Sequence, residues 1–292
     1  MPPATEQVWT LGSLLDWTAK HLAAKNVESA RLDAEVLLAY VAGCKRIDLY
    51  GMRFAEVASP EIRHAYRDLI RQRLEGCPVA YLVGRKEFYG LEFKVTRAVL
   101  IPRPDSEHVV VECLKVMKPM KDPRILDIGV GSGNLAVTIA KQLPTAQVTA
   151  IDKSADALAI ARENAAKHGV ADRIRFLEGD LFMPLGTSET FHCIVSNPPY
   201  IPEGDIANLP IGVRNYEPTT ALAAGADGFA VFDRIIAEAS ARLQPGGHLI
   251  VEIGSPQEAP ARVRLAAIAT LTLAPTIIDS AGHPRVLHAV KS

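Results

Sequence analysis
The chain has 292 residues, a formal net charge of −1, 48% hydrophobic residues and 22% charged ones. That length suits one large or two medium domains, and the apolar fraction is enough for an ordinary core. A balance this near neutral supplies no global field for nucleic acid, so no stable nucleic-acid partner is expected without a local basic face.

The first third reads as helical. Leu11, Leu14, Leu15, Thr18 and Leu22 recur at helix spacing; Ala34, Leu37, Leu38 and Val41 do the same, and Gly43 closes that stretch. Ser59-Pro60-Glu61 reads as an N-cap followed by Pro at the first helical position, with Ile62, Tyr66, Leu69 and Arg73 on one face. Together these predict a small helical bundle whose stripes are core faces. Residues 86–95 read as a hairpin turning at Gly90, and Ala98 to Ile101 as a further strand running into Pro102-Arg103-Pro104.

From there strands and helices alternate. Strands are predicted at Arg124–Ile128, Gln147–Ile151, Arg173–Leu177, Phe191–Val195, His248–Glu252, Leu271–Ala274 and Arg285–Val290. Helices are expected at 105–117, 134–142, 154–168, 228–243 and 256–268. Alternation of this kind implies an α/β fold with a mostly parallel, doubly wound sheet. The expected organisation is an N-terminal helical domain over 1–82, a hairpin linker over 83–104 and an α/β domain over 105–292. Cys44, Cys77, Cys113 and Cys193 are scattered in apolar contexts without a C-x-x-C pair. They read as reduced core thiols in a cytoplasmic protein, neither metal-binding nor disulfide-bonded. The N-terminus lacks a signal pattern and no apolar run approaches a membrane span, so no membrane partner is expected.

Candidate chemistry sits at the strand tips. Asp127-Ile128-Gly129-Val130-Gly131-Ser132-Gly133 closes one strand and opens a helix. Glycines at alternate positions let the backbone turn tightly and lie against a ligand, although a packing turn explains many such loops. The spacing is G-x-G-x-G, unlike the dinucleotide fingerprint G-x-G-x-x-G. The preceding Asp127 is a poor neighbour for a pyrophosphate and a reasonable one for an ammonium and a sulfonium. Asp152 ends the next strand, nineteen residues after Gly133. There a carboxylate can accept both hydroxyls of a ribose, or simply start the helix that Ser154 caps. Asp180, in Gly179-Asp180-Leu181, can accept from an adenine amino group while the next backbone N–H bonds the ring.

Asn197-Pro198-Pro199-Tyr200 follows the apolar run Cys193-Ile194-Val195. Proline has no N–H, so this segment offers carbonyl acceptors. The Asn197 side-chain oxygen and a proline carbonyl can hold both hydrogens of a planar NH2 group, with the Tyr200 ring over its flat face. The alternative is a Pro-rich turn ending a strand. A nucleoside pocket and an NH2 clamp on one sheet edge are the layout of an S-adenosylmethionine-dependent methyltransferase acting on planar nitrogen. The eight histidines show no triad or ligand spacing and read as structural or surface residues. Residues 203–216 contain Gly, Asn and Pro and read as a mobile cover over the pocket.

These residues resemble the HemK-type glutamine N5-methyltransferases of peptide chain release factors, the PrmC family. The matching stretches are Pro78–Gly84, Glu87–Gly90, Leu100–Pro104, Asp127–Gly133, Asn197–Tyr200, Glu217-Pro218 with Ala221-Leu222, Gly228, and Glu252–Gly254 with Gln257. The Asn-Pro-Pro-Tyr motif alone is shared with amine methyltransferases of nucleic-acid bases; the combination is more specific. The resemblance implies a Rossmann-like class I methyltransferase domain, a helical domain that recognises the release factor, and S-adenosyl-L-methionine converted to S-adenosyl-L-homocysteine. It assigns catalysis to Asn197, Pro198 and Tyr200. The cofactor site would comprise Asp127, Gly129, Val130, Gly131, Ser132, Gly133, Asp152, Asp180, Leu181 and Asn197, with no metal. The glutamine of a Gly-Gly-Gln loop would meet Asn197, Pro198, Pro199, Tyr200 and Arg103. Arg103 would orient the Asn197 loop or a substrate carboxylate, an ordinary ion pair being the alternative. Where the family often carries Pro-Glu-Thr-Glu, this chain has Pro104-Asp105-Ser106-Glu107. Rival readings are a ribosomal-protein glutamine methyltransferase, a base amine methyltransferase and a non-catalytic protein that kept the fold.

Overall fold
The computed structural model describes residues 8–292, so the reading of the extreme N-terminus falls partly outside the described residues. Contacts divide the chain into two units: residues 1–84 with 211–216, and residues 85–210 with 217–292.

In the first unit, α1 (Leu11–Ala24) begins at Thr10, whose hydroxyl accepts from the Ser13 N–H while the Ser13 side chain bonds back to the Thr10 N–H. This reciprocal cap satisfies two N–H groups that the first turn leaves without partners. α2 (Ala30–Val41) ends as predicted near Gly43, which adopts φ 61°. α3 (Pro60–Leu74) has its expected Ser59 cap and Pro60 at the first position. α4 (Val79–Val83) closes on Gly84 in the left-handed conformation. Leu11, Leu15, Leu22, Leu37 and Leu38 are fully buried together. Tyr66 donates its hydroxyl to the Ala34 carbonyl at 2.9 Å, so its polar end is satisfied inside that core.

The second unit opens with a hairpin, β1 (Arg85–Phe88) and β2 (Leu91–Lys94), paired antiparallel. Tyr89 and Gly90 both take positive φ at its tip, as a two-residue turn between twisted strands requires. The predicted strand at Ala98–Ile101 is absent. Thr96 accepts from the Ala98 N–H through its hydroxyl and from the Val99 N–H through its carbonyl, which folds the segment into a turn. Val99 and Ile101 are nonetheless buried; their apolarity reflects packing rather than a ladder.

The remaining elements are α5 (Glu107–Met117), β3 (Arg124–Ile128), α6 (Asn134–Gln142), β4 (Gln147–Asp152), α7 (Ala155–Lys167), β5 (Ile174–Glu178), β6 (Phe191–Ser196), α8 (Ile211–Arg214), α9 (Ala230–Arg242), β7 (Leu243–Glu252), α10 (Glu258–Ala266), β8 (Leu271–Leu273), β9 (Ile277–Ile278) and β10 (Pro284–Lys291). The sheet order is β5-β4-β3-β6-β7-β10-β8, with β9 also on β10. β3 to β7 are mutually parallel, while β10 runs antiparallel to its neighbours. Helices cover both faces. Ile125 belongs to one apolar cluster, with α5, α6 and α7; Leu126 and Ile128 belong to the other, with α9 and α10. This split follows from the two-residue period of a strand. The short α8 belongs to the first unit, where the Ile211 side chain packs over Gly76 so closely that a Cβ there would stand 2.6 Å from it.

Candidate active site
The chain runs outward from β3 through β4 to β5, then returns to the other side of β3 as β6. The crevice at that reversal, outside the carboxyl ends of the strands, is where open α/β sheets bind ligands. Two loops meet there. In the first, Gly129, Gly131 and Gly133 all take positive φ, and the Gly129 and Val130 N–H groups both donate to the Ile151 carbonyl. A Cβ added to Gly129 or Gly131 would meet nothing within 4 Å, so backbone there faces open space. Gly133 differs: a Cβ would stand 3.2 Å from that of Ala161, so this glycine lets the loop pack on α7.

One carboxylate braces the loop. Asp152 accepts from the Gly131 N–H through Oδ2 and from the Ser154 N–H through Oδ1, each at 2.9 Å. Ser154 in turn caps α7. Asp152 therefore anchors the helix start, one of the two roles weighed for it, and it also lines the crevice. Asp127 sits elsewhere. It shares the strand face of Ile125, is fully buried, and accepts from the Ala136 N–H at 3.0 Å. Its other oxygen has no hydrogen-bond partner among the described residues.

Burial lifts the Asp127 pKa to about 7, against the pull of the Ala136 N–H and with a further push from Asp152. An unfolded Asp titrates near 4. Between those values the folded state holds a proton that the unfolded chain has lost, so stability falls as pH rises across the window. Asp127→Asn is expected to reduce that slope, by up to ~1.4 kcal/mol per pH unit. Urea unfolding at pH 5 and pH 8 checks it, and equal slopes in both proteins would refute it.

After β5, Leu181 takes φ 51°, an uncommon conformation for a side chain of its size, and it lines the crevice. Asp180 is held by Arg234 of α9, Oδ2 to Nη2 at 2.6 Å. After β6, Asn197 donates through Nδ2 to the Ser106 hydroxyl at 2.9 Å. Tyr200 does not line the crevice. Its carbonyl accepts from Gln257, which also holds Gly228 and Gly254, and its ring edge lies against Gly254.

One cavity, about 1100 Å³ including its open mouth, joins Gly129, Val130, Gly131, Ser132, Asp152, Asp180, Leu181, Asn197, Pro198, Pro199 and Arg103. Asp127, Gly133 and Tyr200 are not in its wall, and neither is any residue of 203–216. The segment 203–216 forms a 3₁₀ helix at Glu203–Asn208 and α8, and 211–216 packs within the first unit.

A family profile described as the PrmC N-terminal domain matches residues 13–84, and one described as the methyltransferase small domain matches residues 106–209. A protein of Rhodopirellula baltica named release factor glutamine methyltransferase is 44% identical, over 97% of either chain. One of the same name in Geobacter sulfurreducens is 46% identical over 85% of either chain. The chain belongs to the release factor glutamine methyltransferases. The solved structure of the T. thermophilus 16S rRNA N2 G1207 methyltransferase shares 18% identity and a TM-score of 0.51, over 71% of this chain and 50% of that one, which shows the fold.

In this methyltransferase several groups at the site carry no sequence motif of their own. Arg234, Val231 and Ile235 of α9 form one wall; their spacing along a helix was the only available signal. Arg103 both lines the cavity and pairs with Glu217 at 2.5 Å. Glu217 is 5% exposed, so the pair is more than a surface contact. Burial raises the Glu217 pKa, and Arg103 opposes it. Burial also lifts the Tyr200 hydroxyl to about 12, helped by the nearby Glu252 carboxyl.

Proposed function
We propose that the enzyme transfers a methyl group from S-adenosyl-L-methionine to the side-chain amide nitrogen, N5, of the glutamine in the Gly-Gly-Gln motif of peptide chain release factors. The observation that carries this reading is the position of Asn197: its Nδ2 is engaged by Ser106, so Oδ1 remains as the acceptor, in the same cavity as the glycine loop and Asp152.

The residues fit the cofactor. Open backbone at Gly129 and Gly131 gives room for close approach, the Asp152 carboxylate suits ribose hydroxyls, and Leu181, Val231 and Ile235 offer apolar walls for a base. When bound, S-adenosylmethionine supplies an electrophilic methyl group on a sulfonium and departs as S-adenosylhomocysteine. Asp127 acts from behind the loop, fixing α6 rather than touching the ligand. Asp180 and the backbone at Leu181 serve the adenine edge, with Arg234 holding Asp180 in place.

An amide nitrogen is a poor nucleophile because its lone pair is delocalised into the carbonyl. Asn197 Oδ1 and the Pro198 carbonyl accept its two N–H bonds, which draws density onto nitrogen and favours pyramidalisation. Fixing the nitrogen in line contributes on the order of 7–11 kcal/mol, and dipoles preset for its developing positive charge a few more. No ionised base is needed before transfer, because the methylated nitrogen is acidic and releases its proton afterwards. Pro199 and Tyr200 shape the loop, and Arg103, in the cavity wall, is fixed by its pair with Glu217. The helical unit recognises the release factor.

Among the described residues no helix is long and apolar enough to cross a membrane. A formal charge of −1 supplies no global field for nucleic acid, and we place the enzyme in the cytoplasm, acting on a protein partner. Incubation of a release factor with enzyme and methyl-labelled S-adenosylmethionine tests the function: label is expected on the protein, and its absence would reject it.

A further inference from the structure
Behind the Asn197 carboxamide lies a polar chain that the clamp itself does not use. Ser106, which receives the Asn197 Nδ2–H at 2.9 Å, is fully buried in the 3₁₀ turn that leads into α5. Glu252, the last residue of β7 and 2% exposed, lies near enough that the Ser106 hydroxyl favours its charged form. Glu252 Oε2 has no hydrogen-bond partner among the described residues. A carboxyl left this way inside a protein costs stability, and an apolar residue of the same shape would pack better. A buried acid with an unsatisfied oxygen beside the reacting loop therefore has a role other than packing.

The role follows from counting protons. A hydroxyl has one proton to give. The Ser106 hydroxyl accepts from Asn197, so its own proton is free to go to Glu252. The Glu252 carboxylate can only accept, which keeps the Ser106 proton pointing away from Asn197. Asn197 must then present its NH2 to Ser106 and its oxygen to the cavity. Without that constraint the Ser106 hydroxyl could turn and donate to Asn197 Oδ1. The carboxamide would flip, and its NH2 would confront the N–H groups of the substrate amide, donor against donor.

We infer that Glu252 and Ser106 are positioning residues for methyl transfer, which together fix which atom of the Asn197 carboxamide faces the substrate. This rests on the reading of Asn197 as acceptor for the glutamine amide. The groups facing Glu252 are Ser106 and Asp105 from the 3₁₀ turn, Arg103 before it, Arg285 of β10 and Tyr200 of the loop. Burial lifts the Glu252 pKa to about 7; the Ser106 hydrogen bond opposes it, Asp105 adds to it, and Arg285 and Arg103 pull it down. Below that pH a protonated Glu252 can donate to Ser106, and the constraint on Asn197 is lost.

The test compares Ser106→Ala, Ser106→Thr, Glu252→Gln and Asn197→Ala for kcat and KM on a release factor and for S-adenosylmethionine affinity by calorimetry. The side-chain amide signal of Asn197 in ¹H–¹⁵N spectra, assigned by its loss in Asn197→Ala, gives a readout independent of turnover. Ser106→Ala is expected to lower kcat by about 10- to 100-fold and to shift the Asn197 signal, with cofactor affinity within about threefold. Ser106→Thr, which keeps the hydroxyl, restores kcat to within about threefold. In the wild type, kcat at saturating cofactor falls and the Asn197 signal moves as pH drops through about 7; in Glu252→Gln both dependences flatten. If Asn197→Ala is inactive while Ser106→Ala turns over like the wild type, or if Ser106→Thr is as impaired as Ser106→Ala, the relay is wrong and the clamp stands. If Asn197→Ala keeps full turnover, the clamp itself falls and the relay with it. Should Ser106→Ala fail to bind cofactor, the two pH dependences of Glu252→Gln decide, and their persistence would overturn the proposal.

Discussion
Asn197→Ala is expected to cut turnover by about 10²- to 10³-fold at saturating cofactor and release factor, which is the usual cost of removing one preset hydrogen-bonding group from a reacting centre. The affinity for S-adenosylmethionine should stay within about threefold. The asymmetry follows from geometry. Asn197 closes the end of the cavity built by the loop after β6, while the glycine loop and Asp152, which brace each other, form a separate stretch of its wall. Truncation removes an acceptor for the substrate amide and leaves those braces in place. It also leaves the buried Ser106 hydroxyl without its donor, a stability cost of about 1–3 kcal/mol that thermal unfolding would register independently. Stopped-flow or quench measurement of a single turnover separates the chemical step from release. Comparable single-turnover rates in mutant and wild type would contradict the clamp.

Asp152→Ala should give the opposite pattern. On the proposed ribose role, two hydrogen bonds from the hydroxyls to this charged acceptor would contribute ~3 kcal/mol between them, so the dissociation constant for S-adenosylmethionine should rise about 100-fold. The effect has a second component. Asp152 also holds the Gly131 and Ser154 N–H groups, so its loss loosens the loop that the cofactor lies against. Turnover at saturating cofactor should fall far less, because Asn197 and Ser106 are untouched. Calorimetric titration checks this, and an unchanged dissociation constant would reject the assignment.

Much of this architecture was legible in the sequence because it rests on local rules. The Ser59-Pro60 start, the Tyr89-Gly90 turn and the apolar runs of β3, β4 and β6 each depend on neighbours a few residues away. The same is true of the crevice: the glycine loop and Asn197 fall at strand ends, and parallel alternation brings strand ends to one edge. What was not legible is what long-range pairing decides. The Ser106–Asn197 bond spans 91 residues, and nothing in Pro104-Asp105-Ser106-Glu107 says which loop its hydroxyl will meet. Arg234 reaches Asp180 from a helix whose inward face reads as ordinary core. Ala98–Ile101 failed for a different reason: burial of Val99 and Ile101 mimics a strand, whereas the Thr96 hydroxyl had already claimed the backbone for a turn. Asp127 carried a signal that was readable. It alternates with Leu126 and Ile128, so a strand that turns those two toward α9 must turn Asp127 toward α6, behind the loop rather than into the cavity.

The proposed chemistry needs one carboxamide nitrogen to be held at Asn197 for methylation. The most direct measurement is fragmentation mass spectrometry of a release factor after incubation with enzyme and methyl-labelled S-adenosylmethionine, with a second release factor carrying Glu in place of the Gly-Gly-Gln glutamine as control. One labelled methyl group is expected on the glutamine side chain and none in the control. Label elsewhere on the protein, or equal labelling of the control, would contradict it.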